Sequence, residues 1–472
     1  MRLYRLGFHD FWFDEIASAG YAQAPWGNWN APLYYIFLHG WVKLFGVSEF
    51  ALRLPSTIFS FSSVVLLFLI GKALFNARVG ICAALLMGLS PFHLWYAQEA
   101  RDYSMVLFLG CCSTLLLIKA FKEDRNIIWG SFALISMVGL YTNYFYAILL
   151  AVQVGLIIVR RGQHLKFKEA MCFLVPALVF SFYLPLFFEK FFFIAHGFWV
   201  PKPTPASLLI TLENFLLGYN GWPALYLAAD VVIGLLFAAA CWHVHRQKMY
   251  RDFLMCLALC IIPVGAIYIF STNFFSLYLD RAFLVFTPFF YLVLSVGIVY
   301  APRWLRILAL TAVIGVMAIA DTAYLKDDMT MSFEHHVGVW LKKPIKSVGE
   351  FLKANVAPDD ALAFTNNSMI PSLHFYHPKG MPSYYYLFDP RFPETDWQRP
   401  IQESSHCIPY YKTVRLKFNK LWVVLADWPR DGTLGPSSKA TKDWLDKNMV
   451  QEFSQEFDGL IVLRYGRAVH GQ

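Results

Sequence analysis

Ten apolar runs, each close to the length that a helix needs to cross a bilayer, dominate this chain: 56–75, 79–96, 103–121, 126–142, 144–159, 170–188, 224–242, 253–271, 282–300 and 304–324. A hydrocarbon core about 30 Å thick takes roughly 20 residues of α-helix. In lipid every backbone polar group must find a partner inside the protein, so only helices and closed barrels can span it. Unbroken runs of this length select helices. Composition agrees: 57% of the 472 residues are hydrophobic and 15% are charged, against about 25% charged in a soluble domain. The runs therefore predict a polytopic α-helical membrane protein with about ten transmembrane helices over 56–324. The shortest pair, 126–142 and 144–159, is divided by Tyr141-Thr142-Asn143-Tyr144.

The net charge of +8 has a pattern. One alternate set of connections holds Lys72 and Arg78; Lys119, Lys122 and Arg125; Arg160, Arg161, Lys166 and Lys168; Arg246, Lys248 and Arg251; Arg303 and Arg306. The other set holds only Arg101, Lys190, Lys202 and Arg281. Lys and Arg accumulate in short cytoplasmic loops, so the first set is expected inside. Residues 1–55, 97–102, 189–223, 272–281 and 325–472 are then expected outside. This accounts for the positive charge without a nucleic-acid partner. It also starts the chain on the outer side, which leads us to expect a further helix upstream of Met1. The expected location is a multi-pass protein of a bacterial inner membrane, with its site and its tail extracytoplasmic.

Three regions follow. Residues 1–55 form an outer loop in which Leu33–Phe45, short, aromatic and ending near Lys43, is expected to lie along the interface. Residues 56–324 form the transmembrane helical domain. Residues 325–472 form a soluble α/β domain: Ile345–Val356 has a helical period, Ala361–Thr365, Leu421–Ala426 and Leu460–Tyr465 read as strands, and Ser438–Met449 reads as a helix. Seven of the eight cysteines lie in apolar runs and none forms a CxxC pair, so neither a disulfide framework nor a zinc site is expected. His374 and His377 have metal-ligand spacing, but Pro371 and Pro378 argue against a helix that would present them together.

The residues that could carry chemistry gather at the outer boundary. Asp14-Glu15 stand between aromatics in Phe11-Trp12-Phe13-Asp14-Glu15-Ile16. Paired carboxylates near a membrane are costly unless solvated, paired or functional; the bland alternative is a solvated pair. Gln98-Glu99-Ala100-Arg101-Asp102-Tyr103 fills a short turn between two runs. Asp102 there could simply cap a helix, with Glu99 against Arg101, but that leaves Gln98 and Glu99 unexplained. Asp280-Arg281 opens the run 282–300, where a cap and a snorkelling arginine would suffice. Asp230 and Asp321, inside runs, suit interhelical hydrogen bonds. The chain lacks a GxxxxGK[ST] loop, a GxSxG elbow and an HExxH pair.

Outward carboxylates and arginines at a membrane suit one reaction class. A base takes a proton from an acceptor hydroxyl, while cations hold a departing phosphate whose charge grows in the transition state. Where nucleotide sugars are absent, an activated sugar can be carried on a polyprenyl phosphate. No cofactor is required by this chemistry; a divalent metal is compatible with it but unsupported by any motif.

The sequence resembles the protein O-mannosyltransferase-like glycosyltransferases, family 39, with the GT-C membrane fold, to which the lipid A aminoarabinose transferases are related. The resemblance rests on Phe11-Trp12-Phe13-Asp14-Glu15, Ala31-Pro32-Leu33-Tyr34-Tyr35, Ala51-Leu52-Arg53-Leu54-Pro55-Ser56, Leu89-Ser90-Pro91-Phe92 and Tyr96 to Tyr103, in order over residues 8–105, and on Asp280-Arg281 with Pro288. It implies a polyprenyl- or dolichyl-phosphate sugar donor, with Asp14 as the base and Glu15 as its acceptor-side neighbour. Glu99 and Arg101 are implied as parts of a second outer turn. Asp102 and Ala282 depart from the family pattern. An inverting transfer would use Asp14 and Glu15 as catalytic residues, Arg101 and Arg281 on the donor phosphate, and Gln98, Glu99, Asp102 and Tyr103 in support. The acceptor, whether protein, lipid or polysaccharide, is left open. The competing reading is a transporter or flippase of a lipid-linked saccharide, which should show repeats and helices broken at the midplane; neither is visible in the sequence.

Overall fold

A computed structural model describes residues 1–25, 31–219, 222–329, 335, 337–339, 341–366, 369–377, 384–388, 407–415, 417–426 and 434–467. The chain forms two compact units. One comprises Met1–Leu6, Tyr21–Phe192 and Val200–Gly338; the other comprises Gly7–Gly20, Phe193–Trp199 and Val339–Gln472.

The first unit is a helical bundle, as the apolar runs predict. Among the described residues, seven of its helices are long and apolar enough to cross a membrane, or nine if each of two bent pairs counts as one span. The tenth expected span, 126–142, is the helix Asn126–Leu140, whose 15 residues fall short of that length. The bends correct the expectation of unbroken spans at 79–96 and 170–188. Ala77–Leu89 and Pro91–Ala97 meet at 62°, and Phe167–Ser181 and Leu184–Ala195 at 72°. Proline explains both. It has no N–H and its ring collides with the carbonyl four residues back. Pro185 thus ends the first helix at Ser181, while at Pro91 a new helix starts, with the Ser90 hydroxyl accepting from His93 N–H at 3.3 Å. The expected outer loop 189–223 also contains an unforeseen apolar helix, Pro205–Leu217.

Close packing in lipid depends on small residues, since apolar burial gives helices no advantage over lipid tails. Glu49–Leu74 and Ala77–Leu89 touch through Gly71 and Gly80: a Cβ on Gly71 would lie 2.6 Å from the Gly80 Cα. A Cβ on Gly297 would lie 2.2 Å from the Leu236 carbonyl oxygen, so Thr287–Val299 and Pro223–Gln247 meet backbone to backbone. The expected span 282–300 is a 3-10 turn, Asp280–Phe286, running into the helix Thr287–Val299. Its most apolar window is 100% buried within the protein, against 28% for Pro223–Gln247 and Arg303–Leu325.

The second unit has an α/β core. Among the described residues its six strands are β1 (Ala361–Phe364), β2 (Tyr384–Phe388), β3 (Cys407–Pro409), β4 (Leu421–Ala426), β5 (Met449–Phe457) and β6 (Leu460–Arg467), in the order β3-β2-β1-β4-β6-β5. The first four are parallel; β6 is antiparallel to β4 and to β5. Side chains alternate across a sheet. Leu362, Phe364, Trp422 and Val424 thus pack on one face with the helices Ile345–Asn355 and Met369–Tyr376. Ala363, Leu421, Val423 and Leu425 pack on the other with Leu445 of the helix Pro436–Asn448. Met369–Tyr376 corrects the expectation of no helix around His374. Pro371 sits in its first turn, where a missing N–H breaks no helical bond. His374 Nε2 lies 2.6 Å from the Tyr384 hydroxyl, and His377 Nε2 lies 3.2 Å from the Lys346 carbonyl.

Candidate active site

In the first unit, the turn after Pro91–Ala97 is held from several sides. Thr57 and Ser56 of the helix Glu49–Leu74 donate hydroxyls to the carbonyls of Ala97 (2.8 Å) and Arg101 (3.2 Å). Ser104 donates to the Tyr96 carbonyl at 2.9 Å. Gln98, buried, donates its amide to the carbonyls of Arg2 and Tyr4 and accepts the Tyr324 hydroxyl at 2.7 Å. Asp102 stands at the head of the helix Tyr103–Glu123 without capping it. Its carboxylate instead accepts from the Asn143 amide at 2.8 Å, a bond to the connection between the helices Asn126–Leu140 and Tyr146–Arg161 in place of the simple cap that its position suggests.

Within this frame Arg101 and Arg281 come to one ring. Their guanidinium carbons lie 5.7 and 6.0 Å from the Tyr103 centroid. Arg101 also donates to the Tyr35 hydroxyl at 3.4 Å, and Arg281 to the Gly338 carbonyl at 3.0 Å. Tyr96 meets Tyr103 edge-on at 5.2 Å and shares a short hydrogen bond with Tyr219. Glu99 is buried and, with Arg281, acts electrostatically on Tyr219, whose phenol is pushed up by burial first and by Asp280 next. The carboxylate of Asp280 accepts from Thr211 and Asn214, both at 2.6 Å, on the helix Pro205–Leu217. Two arginines on separate elements, each within about 6 Å of the same ring, offer a chemistry suited to an anion. Arginine's planar fork favours phosphate.

Asp14 and Glu15 are described with the second unit. They open the helix Phe13–Gln23, where negative charge is favoured by the unpaired N–H groups of the first turn. Asp14 is half-buried; Glu15 is fully buried. The Trp12 N–H donates to Glu15 Oε2 at 3.4 Å, half of a capping box. Lys342 Nζ lies 3.8 Å from the same oxygen. Asp10 accepts the Lys346 N–H at 2.8 Å, and the Phe11 N–H reaches the Tyr376 hydroxyl at 2.6 Å. Tyr219, Asn143 and Lys342 are partners that no sequence motif announces, and Tyr35 lies in a resembling motif that assigned it no role. Among the described residues no group of three or more His, Cys, Asp or Glu converges as a metal-binding set.

Residues 29–188 match the family model described as dolichyl-phosphate-mannose-protein mannosyltransferase. The fold is similar to the crystal structure of ArnT from Cupriavidus metallidurans in the apo state: TM-score 0.58, 13% identity, covering 98% of this chain and 95% of that one. Residues 29–188 thus resemble that mannosyltransferase family, and the whole chain shares the fold of the ArnT structure. The same ArnT bound to undecaprenyl phosphate is similar with a TM-score of 0.56 at 12% identity, covering 100% of this chain and 96% of that one. No curated protein matches the sequence. The GT-C resemblance carried by Ala31–Tyr35, Ala51–Ser56 and Leu89–Tyr103 thus stands, and the fold extends it over the rest of the chain. The two bent helix pairs correct the reading that no helix is broken.

Proposed function

We propose that this protein is an inverting glycosyltransferase that moves a sugar from a polyprenyl-phosphate donor, of the undecaprenyl or dolichyl class, to an acceptor hydroxyl outside the cytoplasm. The observation that carries this reading is the approach of Arg101 and Arg281 to the single ring of Tyr103. These guanidiniums hold the donor phosphate and take up the charge that grows as the sugar leaves. Asp14 takes the proton of the acceptor hydroxyl, which attacks the anomeric carbon from the face opposite the phosphate. One bond forms to the acceptor oxygen, one breaks to the phosphate oxygen, and the lipid phosphate departs. Phosphate is a good leaving group, so the reaction as drawn needs no metal or other cofactor. Gln98, Glu99 and Asp102 fix the turn that carries Arg101. The undecaprenyl phosphate in the ArnT structure supports the lipid class.

The test is sugar transfer by the purified protein from a panel of synthetic undecaprenyl-phosphate sugars, with membrane lipid, protein and polysaccharide as acceptors. Products are read by mass spectrometry. Transfer with release of undecaprenyl phosphate is expected. Stoichiometric movement of the intact lipid-linked sugar across a vesicle bilayer without transfer would favour the flippase instead.

A further inference from the structure

Glu15 has no exposed surface. An ionised carboxylate in such a place must be compensated or it destabilises the fold. Two groups from different parts of the second unit meet its Oε2: the Trp12 N–H at 3.4 Å and the Lys342 ammonium at 3.8 Å. Lys342 belongs to the irregular segment that leads into the helix Ile345–Asn355. The same stretch of tail holds the approach to Asp14 at two further points. Lys346 gives its N–H to Asp10, and the Tyr376 hydroxyl receives the Phe11 N–H. The first turn of the helix Phe13–Gln23 is therefore clamped over Asp10–Glu15 by residues more than three hundred positions later.

We propose that Lys342 is a positioning residue for the Asp14–Glu15 pair. It anchors the buried Glu15 carboxylate and thereby fixes the first helical turn, from which Asp14 takes the acceptor's proton. This rests on the reading of Asp14 as the base. Glu15 is then a fixed strut under Asp14, and the C-terminal domain supplies a part of the catalytic arrangement. Reacting groups need placement to within about 0.5 Å, and a misplacement of about 1 Å can cost on the order of 100-fold in rate.

The experiment uses the full-length protein and the synthetic undecaprenyl-phosphate sugar that the wild type turns over, with release of undecaprenyl phosphate as the readout. Lys342→Met keeps the stem and removes the charge. It is expected to lower kcat by roughly 10- to 100-fold, with the KM for the lipid donor changed by less than about twofold. Lys342→Arg is expected to restore kcat to within about threefold, because the charge returns. If Lys342→Met does not yield monodisperse protein, the double variant Glu15→Gln with Lys342→Met removes both members of the pair. Equal turnover by the double variant and by Glu15→Gln alone supports action through Glu15, whereas a further loss overturns it. The proposal also falls if Lys342→Met keeps more than about half of kcat, or if only donor KM rises. Asp14→Asn is measured beside them. Full turnover there would refute the base itself, by an arm separate from those of Lys342.

Discussion

Replacing Arg101 separates phosphate binding from support of the fold. Two of its contacts inside the protein are weak: a 3.4 Å bond to Tyr35 and a ring contact with Tyr103 at 5.7 Å. A cation over an aromatic ring at such a site is worth about 0.5–1 kcal/mol. A charge-assisted bond to a phosphate is worth about 1.5–3 kcal/mol, or roughly 10- to 150-fold at about 1.4 kcal/mol per decade. Arg101→Ala should thus lower kcat/KM toward the upper end of that range, and loss of those two contacts by itself would shift thermal unfolding by only a few degrees. Arg101→Lys keeps the charge but loses the fork, and should fall near tenfold. The assay is initial release of undecaprenyl phosphate by purified protein, with a thermal melt on the same sample. If Arg101→Ala keeps more than about a third of wild-type kcat/KM, the phosphate role is wrong. If both variants melt far below the wild type, the residue is structural.

Asp14→Asn should remove nearly all transfer while insertion and melting stay unchanged, since general-base assistance contributes roughly 10²–10⁴-fold; turnover at saturating donor above about a third of wild type would exclude it. Gly297→Ala puts a Cβ 2.2 Å from the Leu236 carbonyl oxygen and should destabilise by about 1–3 kcal/mol, read as a lower melting midpoint; an unchanged midpoint would mean that these helices are not in contact. The carboxyl of Asp124 is held below the usual range by hydrogen bonds from Lys166, Trp129 and Lys168. Its contribution is therefore present above the ordinary carboxylate range and lost as pH falls through the depressed value. Asp124→Asn should lower the melting midpoint at neutral pH, with the gap to wild type closing below about pH 3; a gap that widens with acid would reverse that sign. Leu165→Cys should resist an impermeant thiol reagent added outside intact cells, and labelling there would invert the assigned topology.

The spans were legible because apolar run length reports the solvent around a helix. Their course was not. Pro91 and Pro185 bend two of them without interrupting the apolar composition, and the helix Pro205–Leu217 hides in a stretch too short to span. The turn from Gln98 to Tyr103 stood out because polar groups are rare at a membrane boundary. Its partners Asn143 and Tyr219 did not, since aromatics and amides are common there and packing alone selects them. In the second unit β5 escaped notice. Its edge position leaves Val450, Gln451 and Glu452 exposed, so it carries little of the apolar signal that marked β4. Lys342 lies in a basic pair before a proline and looks like a solvated turn until Glu15 is found against it.

Arg281 is mounted at the head of the candidate span that is most enclosed among the described residues. Asp280–Val299 is covered on every side by other helices, whereas Pro223–Gln247 and Arg303–Leu325 are mostly uncovered. A bilayer thicker or thinner than a span makes that span tilt, or makes the lipid stretch, at a cost of fractions of a kcal/mol per Å. Such forces act where lipid touches protein. They would be taken up by the outer helices and reach Arg281 only through the backbone contact of Gly297 with Leu236 and others like it. On the proposed reading, a donor phosphate held at Arg281 would be gripped at one setting across membranes of differing thickness, and changes of lipid composition would first alter how the protein sits in the bilayer.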